Sequence, residues 1–183
     1  MEATIHSPPS LANRACELNL EEIVTRYGNA ILKYCYGVLC HYHDAQDAMQ
    51  ETFIKAHRAN KTLRNPNAYT TWLYKIAYRT CINMRRSKRH QFIPASAETE
   101  SQAYYIEDSF IDPILLDALK ALPPHSRAVF YSRVVDDMDY KQMEGLYNIS
   151  SANLRKTYER AKTKLKEILT EKGYKLEGSN KNE

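Results

Sequence analysis

Leu20, Ile23, Tyr27, Ile31, Tyr34 and Val38 recur at steps of three or four residues, which lines apolar side chains along one side of a long helix. A stripe of that length is stable only when a second apolar surface covers it. The chain supplies one immediately. From about Asp44 to Asn60, Ala45, Met49, Phe53 and Ala56 share a face, while Asp47, Gln50, Glu51 and Lys55 lie largely off it. A loop from Lys61 to Asn67, broken by Pro66, precedes a third helix with Tyr69, Trp72, Leu73, Ile76 and Ala77, which ends in a basic knot of Arg85, Arg86, Lys88 and Arg89. The first helix starts near Asn19, a capping residue type, with Glu22 three positions on to complete a box-like signature.

The stretch from Gln91 to Ile111 holds no period over two turns, and its Ser, Glu, Ala and Gln content reads as a linker. Beyond it Asp112-Pro113 is a helix start of the cap-then-proline kind, followed by Ile114, Leu115, Ala118, Leu119 and Leu122. Pro123-Pro124 stops that helix, and another begins around His125 and runs through Val129, Phe130 and Val134. Asp139 can cap a short helix carrying Tyr140, Met143 and Leu146. Asn148 suits a left-handed turn, and Ser150 or Ser151 is expected to cap a long last helix. Nothing in the pattern argues for a strand. The expectation is an all-α chain of two small helical domains joined by a flexible acidic linker: a loose arm over 1–18, a first domain over 19–90, the linker over 91–111, a second domain over 112–170 and a tail over 171–183.

Charge is segregated along the chain. The net value of +4 in 183 residues is mild, but residues 91 to 117 carry six acidic groups and no Lys or Arg, whereas Leu154 to Lys175 carry eight Lys or Arg against three Glu. Two basic surfaces on either side of an acidic tether suit two contacts with a polyanion; a solvated helix face is the ordinary meaning of any single run. The four cysteines show no paired spacing and read as buried thiols. Cys35, Cys40, His41 and His43 are close enough in sequence for zinc to be weighed, but Cys35 lies within the apolar stripe and no second ligand pair follows, so no metal and no cofactor is expected. Neither a glycine-rich phosphate loop nor a nucleophile constellation is present, which disfavours an enzyme. The first eighteen residues lack a basic start and an apolar core, and no apolar run approaches a membrane span, so a cytoplasmic location without membrane contact is expected.

Short helix, turn at Asn148, then a longer helix presenting Asn153, Arg155, Lys156 and Arg160 is the sequence form of a helix-turn-helix, whose second helix would enter the major groove. Arg and Lys there reach guanine edges or phosphates, and Asn153 could read adenine or bond a phosphate. A helical hairpin with a basic solvent face has the same pattern. On the third helix, Trp72, Ile76, Arg79 and Asn83 follow steps of four, three and four, so one face passes from aromatic to polar and basic. Such a face suits unstacked single-stranded bases. A lone Trp at helical spacing is also an ordinary core residue, and both readings stand at Trp72.

The segments DAQDAMQETFIKAHRA, AYTTWLYKIAYRTCINMRRSKR and ALKALPPHSRAVFYSRVVDDMDYKQMEGLYNISSANLRKTYERAKTKLKEIL, in that order and spacing, resemble the extracytoplasmic-function type of bacterial sigma factor. The resemblance covers roughly residues 20 to 90 and 112 to 170. It implies a subunit that binds core RNA polymerase, through its β′ clamp and β subunits, and directs promoter recognition and opening without catalysis of its own. Asp47, Gln50, Glu51 and Phe53 match the helix with which the family binds the clamp coiled coil. Lys61, Arg64 and Asn67 fall in the loop that pockets a flipped base of the minus-10 element. Trp72, Arg79 and Asn83 sit where family members hold the melted strand, with Arg85, Arg86 and Lys88 toward phosphates at the upstream edge of the bubble.

The linker, with Glu98, Glu100, Glu107 and Asp108, resembles the family's connector toward the active-site cleft, and Asn153, Arg155, Lys156, Glu159 and Arg160 fall on the helix used for the minus-35 element. An anti-sigma factor or an accessory recruiting protein is a further implied partner. The chain departs from the family at Arg79, Asn153 and Thr157, and most sharply at Glu144, where a small Ala is usual. A carboxylate buried there without a partner would be costly and would loosen the packing of the two motif helices, altering or weakening minus-35 reading. The competing function is a stand-alone helix-turn-helix regulator, which would pair as a dimer on half-sites and would need neither the Trp72 face nor a polymerase-binding helix.

Overall fold

The structure, a computed structural model, describes residues 20–59, 68–90 and 111–174. Seven helices account for them: α1 Leu20–Leu39, α2 Tyr42–Ala59, α3 Tyr69–His90, α4 Pro113–Lys120, α5 Pro124–Val134, α6 Tyr140–Tyr147 and α7 Ser151–Glu171. Among the described residues there is no strand. The linker expected over 91–111, apart from its last residue, lies outside them, as do the arm and the far tail.

Helices α1, α2 and α3 pack on one another, with Ile23, Ile31, Tyr34 and Val38 of α1, Ala45, Phe53 and Ala56 of α2, and Leu73 and Ala77 of α3 all buried between them. The stripe read from the sequence is therefore the inner face of α1, although Leu20 at its end stays exposed. The turn between α1 and α2 is tighter than the spacing predicts. Cys40 takes a left-handed conformation with φ of 55°, and the ring Nδ1 of His41 accepts the Asp44 backbone N–H at 3.3 Å, so α2 begins at Tyr42. Of the residues weighed for zinc, Cys35 is buried in α1 and the Cys40 thiol accepts an N–H of Arg127 at 2.8 Å, while His41 and His43 are exposed.

In the second half the caps expected at Asp112, Asp139 and Asn148 are present, whereas Ser150 makes no side-chain cap bond. The Asp112 carboxylate accepts from the N–H groups of Ile114 and Leu115, with Pro113 at the first position of α4. Asp139 and Gln142 close a reciprocal capping box on α6, and Asn148 ends it with φ 58° and ψ 43°. Leu119, Val129, Met143, Leu146, Leu154, Ala161 and Leu165 form the core that α4, α5 and α6 build against α7.

The two helical groups also share a seam, which the sequence pattern did not announce. Helix α1 lies on α5 and α3 lies on α6. Gly37 makes the first approach possible, because a Cβ there would overlap the Tyr131 ring. Tyr147 stands at the centre: its hydroxyl meets Tyr34 at 3.0 Å and Ser132 at 2.8 Å and donates to the Ala128 carbonyl at 2.9 Å. Around it the Tyr78 hydroxyl meets Nδ1 of His125 at 2.9 Å, Tyr74 donates to Asp136 at 3.2 Å and Lys75 donates to the Gly145 carbonyl at 3.2 Å. Burial holds the Tyr34, Tyr74 and Tyr147 hydroxyls well above their ordinary pKa, so they serve the seam as neutral hydrogen-bonding groups.

Candidate nucleic-acid and partner interfaces

On α2, Asp47, Gln50 and Glu51 are exposed, and Glu51 forms an ion pair with Lys55 at 2.9 Å. Phe53 does not join them. It is only 3% exposed and its ring belongs to the core, because residue 53 continues the Ala45, Met49 and Ala56 side of the helix. The apolar member of the outer face is instead Ile54, 48% exposed, which completes the spacing of 47, 50, 51 and 54. Its signal was in the sequence: a β-branched apolar residue off the stripe.

On α3, Arg79, Asn83, Arg85 and Arg86 are exposed. Trp72 is half-buried; its ring packs on Tyr69 with centroids 5.5 Å apart and leans on the core, while one edge remains accessible. The core reading of Trp72 thus holds in part, and the rest of the ring stays open to solvent. Lys88 lies on the last turn of α3, whereas Lys61, Arg64 and Asn67 lie outside the described residues. The neighbouring flank of α3, with Tyr74, Lys75 and Tyr78, is taken up by the seam.

Helix α7 turns Leu154, Ala161 and Leu165 inward and leaves Asn153, Arg155, Lys156, Glu159 and Arg160 exposed. Phe130 and Tyr158 stack at 6.0 Å with planes 16° apart and fix the roll of the helix. The Arg155 guanidinium lies over the Tyr140 ring at 5.4 Å, and Arg133 approaches the same ring at 5.8 Å while pairing with Asp137 at 3.0 Å. Lys156 has no such support. Thr157 folds its hydroxyl back onto the Asn153 carbonyl at 2.9 Å.

Glu144 does not loosen the packing of the motif helices as expected. It is half-exposed, and its carboxylate accepts the backbone N–H of Ser151, the first residue of α7. That bond holds its carboxyl below the ordinary carboxylate range. The motif helices pack with Glu144 as a clasp between them. Ser150, in the cap position with extended φ and ψ, makes no side-chain cap bond, so the carboxylate has taken over the expected serine's task.

Residues 23–91 match the family model for sigma-70 region 2, and residues 113–165 match that for sigma-70 region 4. Among curated proteins the chain is similar to the RNA polymerase sigma factor YlaC of Bacillus subtilis, at 26% identity over 83% of this chain and 92% of that one. It is also similar to the ECF RNA polymerase sigma-E factor of Haemophilus influenzae, at 26% identity over 76% of this chain and 82% of that one. Two solved structures share the fold. One is CnrH in complex with the cytosolic domain of CnrY, with a TM-score of 0.65 and 21% identity over 88% of this chain and 96% of that one. The other is RpoE of Bartonella quintana in complex with the anti-sigma factor NepR, with a TM-score of 0.66 and 16% identity over 82% of this chain and 96% of that one.

Proposed function

The chain belongs to the sigma-70 family, in the extracytoplasmic-function branch of its curated relatives, and on that premise we propose how its surfaces share the work of starting transcription. As a promoter-recognising sigma factor it joins core RNA polymerase and carries promoter DNA to it. In our reading the outer face of α2, with Asp47, Gln50, Glu51 and Ile54, docks on a basic helical element of the polymerase. The face of α3 that runs from Trp72 through Arg79 to Asn83 receives bases of the opened minus-10 element, with Arg85, Arg86 and Lys88 on adjoining phosphates. Lys61, Arg64 and Asn67 serve the base pocket that the family resemblance assigns to their loop. Helix α7 enters the major groove at the minus-35 element through Asn153, Arg155, Lys156, Glu159 and Arg160.

The observation that carries this reading is the presence of two unlike exposed faces on adjacent helices of one small bundle. One is acidic with an apolar centre, and the other is aromatic passing to basic. A protein that only gripped duplex DNA would need neither. Polar and charged groups around an apolar anchor suit a protein partner, and a half-buried indole beside Arg and Asn suits unstacked bases. Bond making falls to the polymerase. No described helix is long and apolar enough to cross a membrane, and the proposed partners put the working location in the cytoplasm. An anti-sigma factor, of the kind that accompanies the Bartonella protein, is a further proposed partner.

The test is reconstitution with core RNA polymerase followed by transcription from a pool of genomic fragments. Asp47→Ala combined with Glu51→Ala should weaken assembly by about 2 to 5 kcal/mol if these charges are desolvated at the interface, while helical content is retained. Unchanged affinity of the double variant would remove α2 from the polymerase contact, and DNA binding as a dimer without polymerase would favour the stand-alone regulator.

A further inference from the structure

The clasp between the motif helices has an electrostatic consequence for DNA. The first N–H groups of a helix have no partner within it and form its positive end, which is normally satisfied by a side-chain cap, by water or by an anion such as phosphate. In α7 the first of these N–H groups is already taken. Ser151 N–H is taken by a full carboxylate from α6, and the nearby hydroxyl of Ser150 makes no cap bond. Glu144 stays ionised at neutral pH, since the bond from Ser151 and the nearby charge of Lys141 both favour the charged form. The negative group therefore sits within two turns of Asn153 and Lys156, on the end of α7 that a helix-turn-helix points at the duplex.

We propose that Glu144 lowers the sequence-independent part of DNA binding by α7. It fills from within the chain the anion position that a DNA phosphate would otherwise approach, and it leaves selection to the base-reading side chains beside it. The proposal rests on the reading of α7 as the helix that meets DNA. Phosphate contacts raise affinity for every sequence alike, whereas base contacts discriminate. An internal carboxylate at this point subtracts from the first and leaves the second.

The experiment compares holoenzymes carrying the wild-type chain, Glu144→Gln and Lys156→Ala, measuring affinity for a promoter fragment and for a scrambled fragment over a series of salt concentrations. Gln keeps an acceptor for Ser151 and loses the charge, so a thermal melt close to wild type is expected. Glu144→Gln should bind both fragments about two- to fivefold more tightly at low salt, the size of a charge at a helix end, with a steeper salt dependence that closes the difference at high salt. The ratio between promoter and scrambled DNA should stay level. Unchanged or weaker binding with the wild-type salt slope would make Glu144 a structural cap only and overturn the proposal. The Lys156→Ala arm separates the two ideas. If it weakens binding while Glu144→Gln does nothing, only the proposal for Glu144 fails; if neither variant alters affinity or slope, α7 does not meet DNA and both fall.

Discussion

Phe53 and Ile54 are neighbours in sequence and opposites in consequence. One step along a helix turns a side chain by about 100°, enough to exchange core for solvent. Phe53→Ala should cost about 3 to 5 kcal/mol of stability through the cavity it leaves. Ile54→Ala should leave the melt nearly unchanged and weaken binding to core polymerase by about 1 kcal/mol or more. A melt and a binding titration on both variants check this, and the reverse pattern would return the contact to Phe53. Trp72 is a harder residue because it belongs to both worlds. Its ring rests on Tyr69 and also borders the Arg79 and Asn83 face. Trp72→Ala should therefore lower stability modestly and also impair opening of duplex promoters more than use of pre-melted ones, by roughly 1 to 3 kcal/mol per stacked base. Equal loss on both templates would assign Trp72 to packing alone.

At the scale of elements, helix α7 contains two cations that the structure treats differently. Arg155 is steadied over Tyr140, while Lys156 projects without support. A pre-positioned guanidinium can meet a guanine edge with two bonds; a free ammonium acts as a point charge. Arg155→Ala should cost about 1 to 3 kcal/mol on the preferred upstream element and relax preference there. Lys156→Ala should weaken binding to all sequences alike and reduce the salt slope by about one. Affinities measured across salt on preferred and altered elements distinguish them, and equal, sequence-blind losses would rule out Arg155 as a reader. The element scale is also where sequence was most legible. Asp112-Pro113, Asp139 with Gln142, and Asn148 each act on their own few residues, so their chemistry could be read locally. Glu144 could not, because its partner lies seven residues on in another helix and only the bend of the chain brings them together. The outer face of α2 was legible in its charges, whereas Phe53, which only the family resemblance put there, lies in the core stripe that its spacing shows, and Ile54 stands on the outer face.

For the whole molecule, the seam between the two helical groups dominates, and periodicity has little to say about it. Tyr34 reads as one more member of a stripe, yet its hydroxyl reaches across to Tyr147. A residue that packs its ring inside one group and donates its hydroxyl to the other looks the same in sequence as one that does only the first. The seam contains two groups that titrate in opposite senses. Burial pushes the Asp136 carboxyl up to about 6, with the Tyr74 bond pulling the other way, and one of its oxygens has no partner among the described residues. Burial also lowers the His125 pKa. A raised carboxyl contributes stability that is complete below its unfolded value near 4 and is lost as pH rises through about 6. A depressed histidine contributes stability that is present above its ordinary value of about 6.5 and is lost as pH falls. The two offset each other between. Asp136→Asn should thus gain on wild type as pH rises from 4 to 7, by about 2 kcal/mol after allowing for the partial exposure of the carboxyl. Chemical denaturation at several pH values measures this, and a constant difference would show that Asp136 does not titrate in the seam.

Arg127 closes over Cys40 from the opposite side of that seam, leaving the residue 9% exposed, and burial holds the thiol pKa up despite the guanidinium beside it. Cys40 is consequently a built-in clock for separation of the two groups. An alkylating reagent should modify it only in the moments when α5 has moved off the α1 end, while Cys35 and Cys81, sealed inside the first bundle, stay unmarked until that bundle unfolds. Timed labelling read by mass spectrometry at each site would then give the opening frequency directly, and among Cys35, Cys40 and Cys81 should show Cys40 marked well ahead. Simultaneous marking of all three would mean that the seam parts only when the whole molecule does.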